Sequence, residues 1–191
     1  MTSKLLLALV VVLTAAGAAR AGGGFDGPTL AHPTRIPDFA LRDQHGRLVR
    51  LSAQQGHVVL LTFLYTHCPD LCPLTASRLN TALRMVGPRN AEVVAVSVDP
   101  WGDTPAAVRR FVRERQLVAS FHYLTGKPSA LQRIWMAYHT STTAPQISGR
   151  VNHSLYTLLV DQRGRGRVLY DSTAESSTIA HDVKLLLAAT G

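Results

Sequence analysis

The sequence predicts an α/β fold with a mixed central sheet flanked by helices. Val58-Val59-Leu60-Leu61-Thr62-Phe63-Leu64-Tyr65 is a continuous apolar run, the pattern of a strand buried on both faces. Pro73 suits the first turn of a helix, and Leu79, Leu83 and Val86 carry an apolar stripe until Gly87-Pro88 stops it. Glu92 to Val98 reads as a second buried strand, and a strand, helix, strand crossover of this kind sets its two strands parallel.

Ahead of this unit, Phe39-Ala40-Leu41 and Leu48-Val49-Arg50-Leu51 flank Asp43-Gln44-His45-Gly46, a short hairpin with a glycine-containing turn. Behind it, Asp103-Thr104-Pro105 supplies a cap, assigned to Asp103, and a first-turn proline for a helix through about Arg115. Ser129 to Tyr138 forms another helix. Leu155 to Val160 and Arg167 to Tyr170 flank a Gly-rich turn and add antiparallel strands to the same sheet. Ser176-Ser177 precedes a final helix bearing Ile179, Val183 and Leu186. A thioredoxin-like α/β sandwich satisfies this order.

Residues 1–21, with Lys4, an uncharged stretch from Leu5 to Ala19 and Ala19-Arg20-Ala21 as a small-residue cleavage site, read as a secretory signal peptide or, uncleaved, as an N-terminal anchor. Residues 22–36 are rich in glycine and proline and predict a flexible leader, which leaves 37–191 as one domain. Removing Lys4 and Arg20 lowers the formal charge from +8 to +6, so an acidic partner or an anionic membrane surface is favoured. The positive charges are scattered and not interleaved with aromatics, which argues against nucleic acid. Arg163-Gly164-Arg165-Gly166-Arg167 is read as a solvated turn.

The only two cysteines, Cys68 and Cys72, sit directly behind the first buried strand in Thr66-His67-Cys68-Pro69-Asp70-Leu71-Cys72-Pro73. At a helix start both sulfurs meet the positive end of the dipole, which favours thiolate. Positions four apart on a regular helix hold their Cβ atoms about 5–6 Å apart, whereas a disulfide wants about 3.8 Å. A metal bridges the wider gap, and backbone adjustment at Cys68 closes it for a disulfide, so both remain open. Soft thiolates select Cu(I) or zinc, and one imidazole added to them makes a set that holds copper in either oxidation state. Of the eight histidines, His153 stands out, between the polar loop Thr140 to Gly149 and the strand from Leu155; capping or solvation is the alternative for it.

These residues carry a resemblance. Asp38 to Gly46, Leu61 to Pro73, Val96-Ser97-Val98-Asp99-Pro100 with Asp103-Thr104-Pro105, Leu124-Thr125-Gly126, and His153-Ser154 before Leu159-Val160-Asp161 together resemble the SCO/SenC family, in its order and from about Pro37 to Asp171. The resemblance implies a thioredoxin-like domain exposed to the periplasm or an equivalent compartment. It implies copper delivery to the CuA centre of cytochrome c oxidase subunit II, with Cys68, Cys72 and His153 as ligands of Cu(I) or Cu(II). A periplasmic copper donor or a thiol reductant would be a further partner. Other family members are assigned to keeping the CuA cysteines reduced or to redox sensing.

His67 matches none of the family's ligand positions and is expected as an exposed loop residue. Asp99 is expected to cap its loop near the site mouth, Trp101 to stand on a docking surface, and Trp135 to lie in the core. A thiol-disulfide oxidoreductase is weakened by three residues between the cysteines instead of two, and by Val151-Asn152-His153 where reductases of this fold carry a proline. A peroxiredoxin would need threonine at Tyr65 and proline at Leu61. Structural zinc would usually need a fourth ligand.

Overall fold

A computed structural model of the chain describes residues 24–87, 90–140 and 154–189. The expected signal or anchor segment and His153 lie outside the described residues. Two short strands, β1 (Ala40–Arg42) and β2 (Leu48–Arg50), pair as an antiparallel hairpin, and a single 3-10 turn, Leu51–Gln54, follows. The main sheet takes β3 (Val58–Leu64), β4 (Ala91–Ser97), β5 (Phe121–Leu124), β6 (Thr157–Val160) and β7 (Gly166–Tyr170) in the order β5-β4-β3-β6-β7. β3, β4 and β5 run parallel; β6 and β7 are antiparallel additions. Among the described residues four helices surround them: α1 (Leu71–Val86), α2 (Pro105–Glu114), α3 (Pro128–Ala137) and α4 (Ser176–Ala188). The expected thioredoxin-like sandwich is therefore present.

β3 and β4 are buried at every position, which accounts for their unbroken apolar sequences. Their register, Val58 opposite Ala91 through Leu64 opposite Ser97, ends both strands at one level. The segments leaving them, Tyr65 to Asp70 and Val98 to Thr104, consequently lie side by side at the carboxyl edge of the sheet, where ligand sites of open α/β sheets form. α1 packs against α4, and Arg78 ties the two by donating to the Ser172 carbonyl at 2.7 Å and pairing with Glu175 at 2.9 Å. α1 ends at Gly87, whose φ of 83° is left-handed and whose N–H returns to the Leu83 carbonyl.

Both hairpins turn on the same five-residue sequence, Asp-Gln-X-Gly-Arg: Asp43 to Arg47 and Asp161 to Arg165. In each, the aspartate accepts from the backbone N–H groups two and four residues on, and from the arginine Nε. The glycines, Gly46 and Gly164, take φ of 79° and 74°, which a side chain would resist. The glutamine of each turn reaches outward. Gln44 accepts from the Tyr123 N–H at 2.8 Å and donates to the Phe121 carbonyl at 2.9 Å, so its amide pairs with β5 as a strand would. Gln162 donates to the Leu186 carbonyl near the end of α4.

The expected flexible leader is corrected from Gly24 onward. The stretch from Pro28 to Ile36 runs beside β7 and exchanges backbone hydrogen bonds with Gly164, Gly166, Arg167 and Leu169. The N–H groups of Asp26 and Gly27 donate to Asp182, a fully buried carboxylate on α4 that also accepts from the Tyr170 hydroxyl. Glycine and proline there fit an extended path along a sheet edge rather than a loose tether. No helix among the described residues is long and apolar enough to cross a membrane.

Candidate metal centre

β3 delivers its chain to the site through Tyr65 and Thr66, and Cys68 follows in the loop, half-buried. Cys72 is the second residue of α1 and is fully buried. Neither forms a disulfide. Asp70 occupies the cap position of α1 but its side chain makes no capping bond. The sulfur of Cys68 takes that role instead, accepting from the Cys72 N–H at 3.3 Å and so satisfying one of the unpaired donors of the first turn.

The two thiols are driven apart electrostatically. A hydrogen bond from the Cys72 thiol outweighs the burial of Cys68 and, with the Cys72 and Asp70 N–H groups and Tyr65, pulls its pKa down to about 5. The same interaction pushes the Cys72 thiol up, reinforced by burial and by the negative charges of Cys68 and Asp103. At neutral pH the pair is one thiolate, partly open to solvent, over one retained thiol.

Asp103 is not the helix cap. Thr104 caps α2, its hydroxyl accepting from the Ala107 N–H at 3.2 Å, while Asp103 turns inward with only 3% of its surface exposed. It accepts from the Thr66 N–H at 2.8 Å, the Ser97 hydroxyl at 2.6 Å and the Tyr123 hydroxyl at 2.9 Å, tying the cysteine loop to β4 and β5. Burial raises its pKa in spite of these donors. Nothing in Asp103-Thr104-Pro105 distinguishes the two candidate caps; the presence of Ser97 and Asp99 at the end of a parallel strand was the available signal that this corner is polar.

Asp99 does cap its loop, accepting from the Trp101 and Gly102 N–H groups at 3.3 and 2.8 Å. It also meets His67: ligating atoms of His67, Asp99 and Asp103 all lie within 4.8 Å of one another. Gly102 permits this approach, since a Cβ there would lie 2.0 Å from Asp99 Oδ2 and 3.0 Å from His67 Nδ1. His67 is exposed, as expected, yet among the described residues it is the imidazole held beside Asp99 and Asp103. Trp101 is 62% exposed. Trp135 is half-buried, and its indole N–H donates to the Ser97 carbonyl at 3.0 Å, bracing the same corner from α3.

The corner therefore combines a soft pair, Cys68 and Cys72, with an exposed, harder imidazole and two buried carboxylates beside it. Soft sulfur suits Cu(I), and nitrogen and oxygen donors suit Cu(II). Tyr65, Thr66, Ser97 and Tyr123 support the arrangement without a motif of their own.

The model of the SCO1/SenC family matches residues 28–188 of the chain. An SCO2-like protein of Rickettsia prowazekii is 27% identical over 135 residues, covering 66% of this chain and 64% of that protein. The mitochondrial SCO2 homolog of Bos taurus is 29% identical over 164 residues, covering 80% of this chain and 59% of that protein. The chain thus spans about three fifths of the length of these relatives. Among solved structures, copper-bound ScoI of Bradyrhizobium japonicum superposes with a TM-score of 0.71 at 26% identity, over 80% of this chain and 99% of that one. Apo Sco1 of Thermus thermophilus superposes with a TM-score of 0.70 at 32% identity, over 86% of this chain and 97% of the other. The family match spans most of the sequence, and this chain belongs to the SCO1/SenC family.

Proposed function

We propose that the chain is an exported copper chaperone acting in cytochrome c oxidase assembly, on the periplasmic side, with the CuA centre of subunit II as recipient. The observation that carries this reading is the Cys68–Cys72 pair: two cysteines outside any disulfide at a helix start, the Cys68 thiol shifted toward its thiolate by the Cys72 hydrogen bond, with a copper-bound relative of the same fold. Cys68 and Cys72 hold Cu(I) as sulfur ligands, and His153 completes the site as the third, by its position in the family pattern. Ligand exchange, not covalent catalysis, then passes the ion on.

The test is titration of the reduced, metal-free chain with Cu(I) and Cu(II), alongside Cys68→Ser, Cys72→Ser and His153→Ala, followed by transfer to the apo CuA domain. Tight one-to-one binding, lost or spectrally altered in all three variants, is the expected result. Binding indifferent to the three changes would overturn it.

One observation favours a second reading. A half-exposed Cys68 thiolate beside a buried Cys72 thiol is the division between an attacking and a resolving cysteine, so the chain would reduce the CuA cysteines or sense redox state. Under that reading the metal-free chain reduces the disulfide of an oxidised CuA domain, and Cys68→Ser abolishes the reaction.

A further inference from the structure

Beside His67, which immediately precedes Cys68, the surface opens as a groove between the β4–α2 loop and α2. Among the described residues, Trp101, Gly102, Ala107, Arg110 and Arg113 line it with His67, and no carboxylate does. Arg113 makes no ion pair among the described residues, and Arg110 reaches only the exposed Glu114, at 4.0 Å. Exposed pairs at that distance are worth little, so both guanidinium groups keep most of their capacity for an incoming anion.

Trp101 is the apolar counterpart of these charges. Its side chain is 62% exposed, yet its backbone is pinned by the Asp99 carboxylate, which also holds Gly102. A large aromatic on a fixed pedestal loses little conformational freedom when covered, and Trp and Arg are the residue types that most often dominate binding energy. Leu71, 46% exposed at the start of α1, adds apolar surface close to the cysteines.

We infer that this groove docks the copper recipient, through an acidic protein surface that pairs with Arg110 and Arg113 and covers Trp101. The inference rests on the chaperone reading above and adds the contact chemistry. A partner seated in the groove lies against His67 and thus next to Cys68, so recognition and ligand exchange share one location.

The test is stopped-flow association of the copper-loaded full chain with the soluble apo CuA domain of subunit II, across a range of ionic strength. Arg110→Glu/Arg113→Glu should slow association about tenfold or more at low salt and flatten its salt dependence. Trp101→Ala should speed dissociation, and Trp101→Phe should restore much of the affinity. Copper stoichiometry and thermal midpoint should be unchanged in all of them, because these side chains are exposed. If the wild-type chain transfers copper to the domain and the charge-reversed chain does so equally fast, the groove is overturned and the chaperone reading stands. If the wild-type chain neither binds nor loads the domain, both fall. A variant that loses only its binding to vesicles of phosphatidylglycerol and phosphatidylethanolamine in equal parts would assign the patch to lipid and overturn the protein partner.

Discussion

Cys68 has two simultaneous duties, helix cap and thiolate, and both follow from its place three residues before α1 begins at Leu71. The Cys72 thiol is the strongest influence on it, so the alkylation rate of Cys68 should titrate near pH 5, while Cys72 stays unreactive across neutral pH. In Cys72→Ala that titration should move up toward the ordinary thiol value of about 8.5. Equal reactivity of the two cysteines, or no movement in the variant, would contradict the assignment. Gly102 is constrained as tightly: Gly102→Ala should displace Asp99 from its two N–H donors and cost about 1–3 kcal/mol in urea unfolding. A stability equal to wild type would mean that the loop rearranges freely. The cysteines were legible because residue type and position carry their chemistry. Asp103 was not, because Thr104 is as good a cap and the burial of a neighbour is a tertiary fact.

At the scale of elements, the paired Asp-Gln-X-Gly-Arg turns act as small electrostatic clasps. Burial alone would raise the pKa of Asp43 and Asp161, but the N–H groups and guanidinium bonds of Arg47 and Arg165 more than compensate, and both lie below the ordinary 3.8. A carboxylate with a depressed folded pKa contributes stability that is present at neutral pH and lost as pH falls below about 4. The thermal midpoint should therefore fall in that window, and less steeply in Asp43→Asn/Asp161→Asn; an identical slope would remove the turns from the account. Gln44→Ala should leave the Phe121 carbonyl and Tyr123 N–H of β5 unpaired, at a cost of about 1–3 kcal/mol by denaturant midpoint, against near zero if water replaces the amide. β3 and α1 could be read from sequence because an apolar run, a proline and a glycine are local signals. The pairing of a glutamine side chain with a strand about eighty residues away is not local, and no period betrays it.

For the whole molecule, the segment from Gly24 to Ile36 is a structural member of the domain. Its glycines and prolines looked like a tether because its partner, the edge of β7, comes from the opposite end of the sequence. Deleting residues up to Ile36 should lower the thermal midpoint by several degrees, since it removes four backbone hydrogen bonds at β7 and the two donors of buried Asp182. Asp182→Asn in the full chain should produce a smaller loss. A truncated chain as stable as the whole would show that the segment merely rests on the sheet.

Both margins of the central sheet are thus occupied, β7 by the N-terminal segment and β5 by Gln44 together with the bond from the Thr125 N–H to the Arg42 carbonyl. A sheet without open margins offers no template for strand addition, which protects the chain from edge-to-edge aggregation. Among the described residues, it also leaves the central sheet no margin for β-augmentation. A partner at the carboxyl edge of that sheet is then read by side chains projecting from loops and helices, among them those of the β4–α2 corner beside His67.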